Sequence, residues 1–191
     1  AQQQNTITFK DHTIALTICE DIWDNSFLED TSYIEQRSYS ESPVSIYNKK
    51  NATVIINISA SPFVKGKTTE RQQMLKKIAH ENKVHLIYAN QIGGNDSLIF
   101  DGNSLVVSNN GEIIAKGNEF EEDLIYCTLG SSKPLKDLKP AHELMEIKNA
   151  LALGIKDYVN KCGFSKVLVG LSGGIDSAVT AAIAATALGP E

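Results

Sequence analysis

The sequence predicts an α/β protein in which a strand-rich layered domain is followed by the start of a second α/β unit. Three observations support this fold class. The segment "TTERQQMLKKIAHEN" has helical periodicity and lies between two apolar strand-like runs. The segment "SLVVSNNGEIIAKG" is predicted to form two strands joined by Asn110-Gly111. The C-terminal "KVLVGLSGGIDSAVTAAIAATALG" is predicted to pass from a strand at residues 166–171 through a glycine turn into a helix of small residues.

The N-terminal strands are predicted from apolar runs and turn residues. Residues 7–9 and 13–18 are β-rich and flank the turn "KDH", so we expect a hairpin whose second strand ends at Cys19. Residues 53–58 and 85–90 are continuous apolar runs typical of buried strands, and "DLIYCTLG" predicts a further strand.

The helix between the two buried strands has recognisable ends and a clear apolar stripe. Thr68 or Thr69 is predicted to cap its N-terminus. Four apolar side chains at helical spacing should face the core: Met74, Leu75, Ile78 and Ala79.

The chain is predicted to divide into domains at residues 1–130 and 141–191. The segment "SSKPLKDLKP", residues 131–140, carries two prolines and no apolar periodicity, which is typical of a linker. After it, "AHELMEIKNALALGIKDYVNKCGF" has apolar residues at three- and four-residue steps, which predicts an amphipathic helix closed by Gly163.

Composition narrows the class of function. The formal net charge of -5 is spread along the chain, so neither nucleic acid nor a membrane is expected as a partner. The N-terminal "AQQQNTITFKDH" lacks the pattern of a signal peptide, and we expect a cytoplasmic protein. Cys19, Cys127 and Cys162 lie far apart without CxxC spacing, which argues against a disulfide framework or a zinc site.

The glycine turn "SGGIDS" has the composition of a phosphate-binding loop. Gly173 and Gly174 allow successive N–H groups to point at an anion, Ser172 and Ser177 add hydroxyl donors, and a helix N-terminus follows. The string lacks the Lys of GxxxxGK[ST] and the third glycine of the Rossmann fingerprint, so neither of these motifs applies. The alternative is a tight turn whose glycines serve packing alone.

This loop resembles the pyrophosphate loop of the ATP pyrophosphatases, and residues 150–189 resemble the entry to the NAD synthetase domain, which has an adenine-nucleotide α-hydrolase-like, Rossmann-like fold. The resemblance implies that ATP is bound by Ser172, Gly173, Gly174, Asp176 and Ser177. A carboxylate beside phosphates repels them unless a cation intervenes, so Asp176 is also the expected Mg²⁺ ligand. Its alternative role is to cap the helix.

A second string, "TIALTICEDIWD", places Cys19 at the end of a strand, where the chain becomes acidic and must turn. Strand ends of α/β layers are common positions for catalytic residues. Most cysteines that close an apolar run are small core residues, and the residues alone leave that alternative open.

The segments "ICEDIW", "NISASPFVKGKTTER" and "IYANQIGGNDSLIFDGNSLVVSNNGEIIAKG" resemble, in this order, nitrilase-fold amidase domains, in particular the glutaminase half of glutamine-dependent NAD synthetases. The resemblance implies a partial α/β/β/α sandwich with Cys19 as the nucleophile. The family's general-base Glu and oxyanion Lys precede the Cys on segments that this sequence lacks. We therefore expect a part of a longer polypeptide, inactive as written, with a sheet edge and an apolar face exposed.

The same resemblance suggests contacts to glutamine. Ser59 borders the expected pocket, although a structural turn is an equal alternative, and Glu20 is placed to meet the substrate amine. A substrate carboxylate needs a cation, and among Lys65, Lys67 and Arg71 the arginine is the preferred candidate, with surface solvation as the alternative.

Together the resemblances imply that glutamine is hydrolysed to supply ammonia for the ATP-dependent amidation of nicotinic acid adenine dinucleotide by a homo-oligomeric full-length chain. Two alternatives stay open. One is a stand-alone amidase with a tail that merely resembles a nucleotide loop, and the other is a non-catalytic fragment that retains the fold.

Overall fold

The computed structural model describes residues 6–23, 42–130, 133–135 and 142–189. The described strands are β1 (Thr6–Phe9), β2 (His12–Ile18), β3 (Val54–Ser59), β4 (His85–Asn90), β5 (Ile92–Asn95), β6 (Leu98–Asp101), β7 (Leu105–Val107) and β8 (Ile113–Lys116). The described helices are α1 (Pro43–Lys49), α2 (Lys67–Asn82), α3 (Glu143–Lys161) and α4 (Ile175–Leu188), with a short 3₁₀ turn at Cys19–Ile22.

Six strands form one mixed sheet in the order β1-β2-β3-β4-β7-β8, and β5 and β6 form a separate hairpin. Strands β2, β3 and β4 are parallel, with Ile18 opposite Ile58 and Ser59 opposite Asn90. Since parallel strands end at the same edge, the residues that follow them lie together. Cys19 and the loops after β3 and β4 therefore meet at one edge of the sheet.

Helices α1 and α2 cover one face of this sheet and close the main core. All four residues of the predicted α2 stripe are buried there: Met74, Leu75, Ile78 and Ala79. The predicted cap at Thr68 or Thr69 is wrong, because α2 begins at Lys67 after Gly66, whose φ of 83° is left-handed. Thr68 instead turns inward and donates its hydroxyl to Asp101 at 3.2 Å.

The opposite face of the sheet is apolar and largely exposed at its β1–β3 end, as expected from the sequence. Strand register places five exposed side chains on this face: Ile7, Phe9, Leu16, Ile18 and Ile58. Near β7 and β8 the face is covered by Ile125, Cys127 and Leu129. The predicted strand in "DLIYCTLG" is wrong, because these residues pack on the face without pairing with a strand.

The second unit contains α3 and α4, which contact each other. Gly163, with φ 74°, follows the C-cap Cys162 and ends α3 as predicted. The buried residues of α3 are Ala150 and Val159, whereas much of the predicted apolar stripe is exposed. The strand predicted for residues 166–171 is wrong within the described part of the chain, where this segment forms no ladder and Leu168 is 101% exposed.

The two units meet where α3 packs against the β5–β6 hairpin. The Asp157 carboxylate accepts a hydrogen bond from the Gly94 N–H at 2.7 Å, and the Lys161 ammonium donates to the Gly94 carbonyl. A Cβ on Gly94 would lie 3.2 Å from the Cα of Gly154, so the backbones approach closely at this contact.

The predicted linker at residues 131–140 lies outside the described residues apart from 133–135. Leu135 donates its N–H to the carbonyl of Ile113 at 2.8 Å. No helix in the described ranges combines the length and the apolarity needed to cross a lipid bilayer.

Candidate functional site

Cys19 occupies a strained position at the end of β2. Its φ is 48°, which is uncommon for a residue with a side chain, and its side chain is half-exposed. Hydrogen bonds on both sides of Cys19 stabilise this backbone conformation. Asp21 accepts the Ile18 N–H at 2.9 Å, and the Asn57 amide donates to the Cys19 carbonyl at 3.2 Å. Backbone strain of this kind concentrates at active sites. The thiol is thus presented at the sheet edge rather than buried in the core.

Lys67 is a cation whose charge interacts with Cys19. Its ammonium donates to the Pro62 carbonyl at 3.4 Å and lies 5.7 Å from the centre of the Trp23 ring. Burial lowers the pKa of Lys67, as does Arg71, while Asp101, Cys19 and Glu70 act in the opposite direction. Sequence reasoning named Lys67 among three candidate cations and ranked Arg71 above it.

Arg71 lies beneath the site in a buried ion pair. It is 1% exposed and donates to the two oxygens of Asp101 at 2.7 and 3.3 Å. Burial disfavours its charge, yet Asp101 and Tyr88 outweigh burial and raise the pKa of Arg71 above its usual value. Direct contact with a substrate carboxylate would require Arg71 to leave Asp101, so the geometry does not favour the predicted contact.

Ser59 at the end of β3 and Tyr88 on β4 carry buried hydroxyl groups. Ser59 is 5% exposed, and by distance and angle neither its hydroxyl nor the Tyr88 phenol makes a hydrogen bond among the described residues. Burial raises the pKa of Tyr88, whereas the nearby hydroxyls of Ser59 and Ser61 act in the opposite direction. A buried hydroxyl without a partner favours binding of a polar molecule, such as water or substrate, that can form a hydrogen bond with it. The substrate contact of Ser59 stays a prediction.

Glu20 follows Cys19 on the 3₁₀ turn and is exposed. Its backbone carbonyl accepts the Trp23 N–H at 3.0 Å, which closes the turn. The contact of Glu20 with a substrate amine stays a prediction.

The phosphate-type loop is preformed before α4. The hydroxyls of Ser172 and Ser177 lie 3.1 Å apart, and Gly174 N–H donates to Ser172 Oγ at 3.3 Å. Ser177 also donates to the Gly174 carbonyl at 3.0 Å. Gly173 has φ 86° with open space around it, so its requirement for glycine is conformational rather than steric.

Asp176 is exposed in the first turn of α4, beside this loop. The described residues contain no group of three or more His, Cys, Asp or Glu side chains arranged to hold a metal ion. Asp176 can supply one carboxylate ligand to a cation beside this loop.

Two family models match the chain. Residues 32–133 match the carbon-nitrogen hydrolase family, and residues 147–191 match the NAD synthase family. The chain is 41% identical over its whole length to the glutamine-dependent NAD(+) synthetase of Synechocystis sp.. It is 39% identical, over 94% of the chain, to the enzyme of the same name from Acinetobacter baylyi. It covers 34% and 31% of these relatives, so it spans about a third of their length.

A solved structure agrees with these relatives. The glutamine-dependent NAD+ synthetase of Acinetobacter baumannii, in complex with adenosine diphosphate, superimposes with a TM-score of 0.86 at 34% identity. The match covers 99% of this chain and 34% of that one. The predicted fold class, a nitrilase-like part followed by the start of an NAD synthetase domain, is confirmed.

Proposed function

The chain belongs to the carbon-nitrogen hydrolase family, and we propose that it is the junction segment of a longer glutamine-dependent NAD synthetase. The observation that carries this proposal is the coexistence, in one chain, of a strained thiol at a sheet edge and a preformed phosphate-type loop. We place the glutaminase part at residues 1–130, a linker at 131–140 and the start of the synthetase part at 141–191.

In the first site, Cys19 is the nucleophile that attacks the amide carbon of glutamine. Collapse of the tetrahedral intermediate breaks the C–N bond, releases ammonia and leaves a glutamyl thioester on the sulfur. Water then adds to the thioester and glutamate departs, which restores the thiol. The general-base Glu and the oxyanion-stabilising Lys of the nitrilase family precede the nucleophile, and we place them in the longer polypeptide.

The pocket around Cys19 selects glutamine through polar contacts. Lys67 is the charged group that pairs with the substrate α-carboxylate, since its ammonium interacts electrostatically with Cys19 and is only half-buried. Glu20 pairs with the α-amino group, and the buried Ser59 hydroxyl donates to the substrate. Arg71 acts beneath the pocket, where it supports the first turns of α2 through Asp101.

In the second site, the loop from Ser172 to Ser177 binds the β- and γ-phosphates of ATP. The Gly174 N–H and the hydroxyls of Ser172 and Ser177, which bond to one another in this structure, would turn to the phosphates on binding. The N-terminus of α4 adds its N–H groups. The carboxylate of nicotinic acid adenine dinucleotide attacks the α-phosphate, and pyrophosphate leaves. Ammonia then attacks the acyl adenylate, displaces AMP and forms the amide of NAD.

Mg²⁺ fits the donor set of this loop. Mg²⁺ commonly binds through one or two carboxylates together with substrate phosphates, and Asp176 offers one carboxylate at the N-terminal end of α4, beside the loop. When bound, the ion would neutralise phosphate charge. Asp176 would hold it, while Ser172 and Ser177 orient the phosphates.

The test uses the full-length polypeptide with ATP and nicotinic acid adenine dinucleotide. Cys19→Ala should abolish NAD formation from glutamine while synthesis from free ammonia continues, and Cys127→Ala is the matched control. Unchanged glutamine-driven synthesis in Cys19→Ala would refute the proposal and favour a non-catalytic fragment. Glutamine hydrolysis without pyrophosphate release would favour a stand-alone amidase.

We also propose that the full-length protein is a cytoplasmic homo-oligomer. Sedimentation of the purified polypeptide measures its oligomeric state, and a monomer at working concentration would contradict this part of the proposal.

A further inference from the structure

The Asp101 carboxylate is a buried hub at the end of β6. It is 1% exposed, and its Oδ1 accepts from Arg71 at 3.3 Å and from Asn90 at 3.2 Å. Its Oδ2 accepts from Arg71 at 2.7 Å, Asn103 at 2.8 Å and Thr68 at 3.2 Å. A buried carboxylate is tolerated when its oxygens are this fully bonded, and each partner is then fixed in position.

The partners of Asp101 lead to both walls of the Cys19 site. On one side, Asn90 uses its amide oxygen to accept the Ser61 N–H at 2.9 Å, which holds the loop that follows β3. On the other side, Thr68 and Arg71 belong to the first turns of α2, the helix that begins at Lys67. The Asp101 carboxylate therefore connects the loop that follows β3 with the first turns of α2.

Asp101 also balances charge at Lys67. Burial and the neighbouring Arg71 lower the pKa of Lys67, and Asp101 acts in the opposite direction together with Cys19 and Glu70. These charges come from α2 itself, from β6 and from the 3₁₀ turn. Without the Asp101 charge, the buried guanidinium would oppose an ammonium one helical turn away.

We propose that Asp101 is a positioning residue for glutamine binding: it holds the loop at residues 59–61 and the start of α2 so that charged Lys67 faces Cys19. This inference rests on the proposed function, because the ligand that Lys67 receives is the glutamine carboxylate. It assigns Asp101 no contact with the substrate.

The test is Asp101→Asn in the full-length polypeptide, with Asp96→Asn on the exposed turn of the β5–β6 hairpin as the matched control. We expect kcat/KM for glutamine to fall about 30- to 100-fold, mainly through KM, as for loss of a charged hydrogen-bond network. NAD synthesis from ammonia should stay within about two-fold of the unsubstituted enzyme. The alkaline limb of the glutamine kcat/KM profile should move to lower pH.

Alkylation of Cys19 separates positioning from general damage. Iodoacetamide needs no carboxylate pocket, so its rate should be unchanged in Asp101→Asn, whereas a diazoketone analogue of glutamine should react more slowly. Asn90→Ala leaves the ion pair intact and keeps the test open if Asp101→Asn does not fold. It should raise the glutamine KM without moving the alkaline limb.

A glutamine KM within two-fold of the unsubstituted value in Asp101→Asn, or in Asn90→Ala where Asp101→Asn does not fold, would overturn the inference. Parallel losses of both alkylation rates and of ammonia-driven synthesis would overturn it as well, because they indicate a structural role alone. Absence of glutamine hydrolysis in the unsubstituted enzyme would instead refute the proposed function and the inference with it.

Discussion

Replacing Asp157 with Ala should loosen the contact between the two units. The Asp157 carboxylate accepts the Gly94 N–H at 2.7 Å, and Gly94 is buried, so the substitution leaves a buried donor without this acceptor. Such a loss costs about 1–3 kcal/mol. The ion pair with Lys161, 3.8 Å long and 58% exposed on the lysine side, adds about 0.5 kcal/mol or less after solvent screening. We therefore expect a cost of about 2 kcal/mol.

Hydrogen exchange of the full-length polypeptide measures this cost where it arises. A local cost of about 2 kcal/mol corresponds to roughly 30-fold faster exchange at Gly94 and along the β5–β6 hairpin, because opening becomes easier by that factor. Asp157→Asn keeps an acceptor and should accelerate exchange less. Lys156→Ala, on an exposed position of the same helix, is the control. Unchanged exchange at Gly94 in Asp157→Ala would refute the assignment of this carboxylate as the link between the units.

Three further predictions concern single positions. Gly173→Ala should weaken ATP binding, measured by calorimetry, because Gly173 has φ 86°, which strains a residue with a side chain. Gly163→Ala is the control, since it imposes similar strain at φ 74° outside the loop and should leave ATP binding unchanged. Equal losses of ATP binding in the two variants would contradict a role of the loop. Burial lowers the pKa of His85 below its ordinary value of 6.5. The free energy of unfolding should therefore be highest above about pH 6.5 and decrease as the pH falls toward the pKa of His85 in the folded state, because the unfolded chain then binds a proton that the folded chain does not. Urea unfolding at pH 7.5 and 5.5 checks this, and a His85→Phe variant with the same pH dependence would exclude His85 as its source. Arg71→Met should cost about 3–5 kcal/mol in urea unfolding, because it leaves the buried Asp101 charge without its cation. Arg71→Met with Asp101→Asn removes that charge and keeps an oxygen acceptor for Thr68, Asn90 and Asn103, so it should recover part of the loss; a double variant no more stable than the single would contradict the buried pair.

Much of the first domain could be predicted from local pattern because its core obeys simple periodicity. The α2 stripe and the Asn110-Gly111 hairpin depend on neighbours within a few residues, and both are confirmed. The strands expected in "DLIYCTLG" and at residues 166–171 were wrong for a physical reason. Alternation of apolar residues reports which side chains are buried, and it does not report whether a backbone partner lies alongside.

The residues of the candidate site also differ in how far they could be predicted from local sequence. The strings around Cys19 and Ser172 are short, so the sequence alone singles them out as candidates. The hydrogen-bond network of Asp101 could not be predicted, because its bonds reach back to α2 and to the end of β4 across long stretches of chain. A hub of this kind is defined by partners that only the fold brings together.

Lys67 and Arg71 show most clearly what the fold adds to residue type. Both are cations on one face of α2, four residues apart, and arginine is the better partner for a carboxylate on chemical grounds alone. The helix, however, points into the molecule at its second turn. Position 71 therefore lies against Asp101 in the interior, while position 67 remains at the mouth beside Cys19. The same preference for a planar, two-bond partner that favoured Arg71 as a substrate contact is satisfied inside the protein by Asp101, and for this reason the proposed function assigns the substrate carboxylate to Lys67.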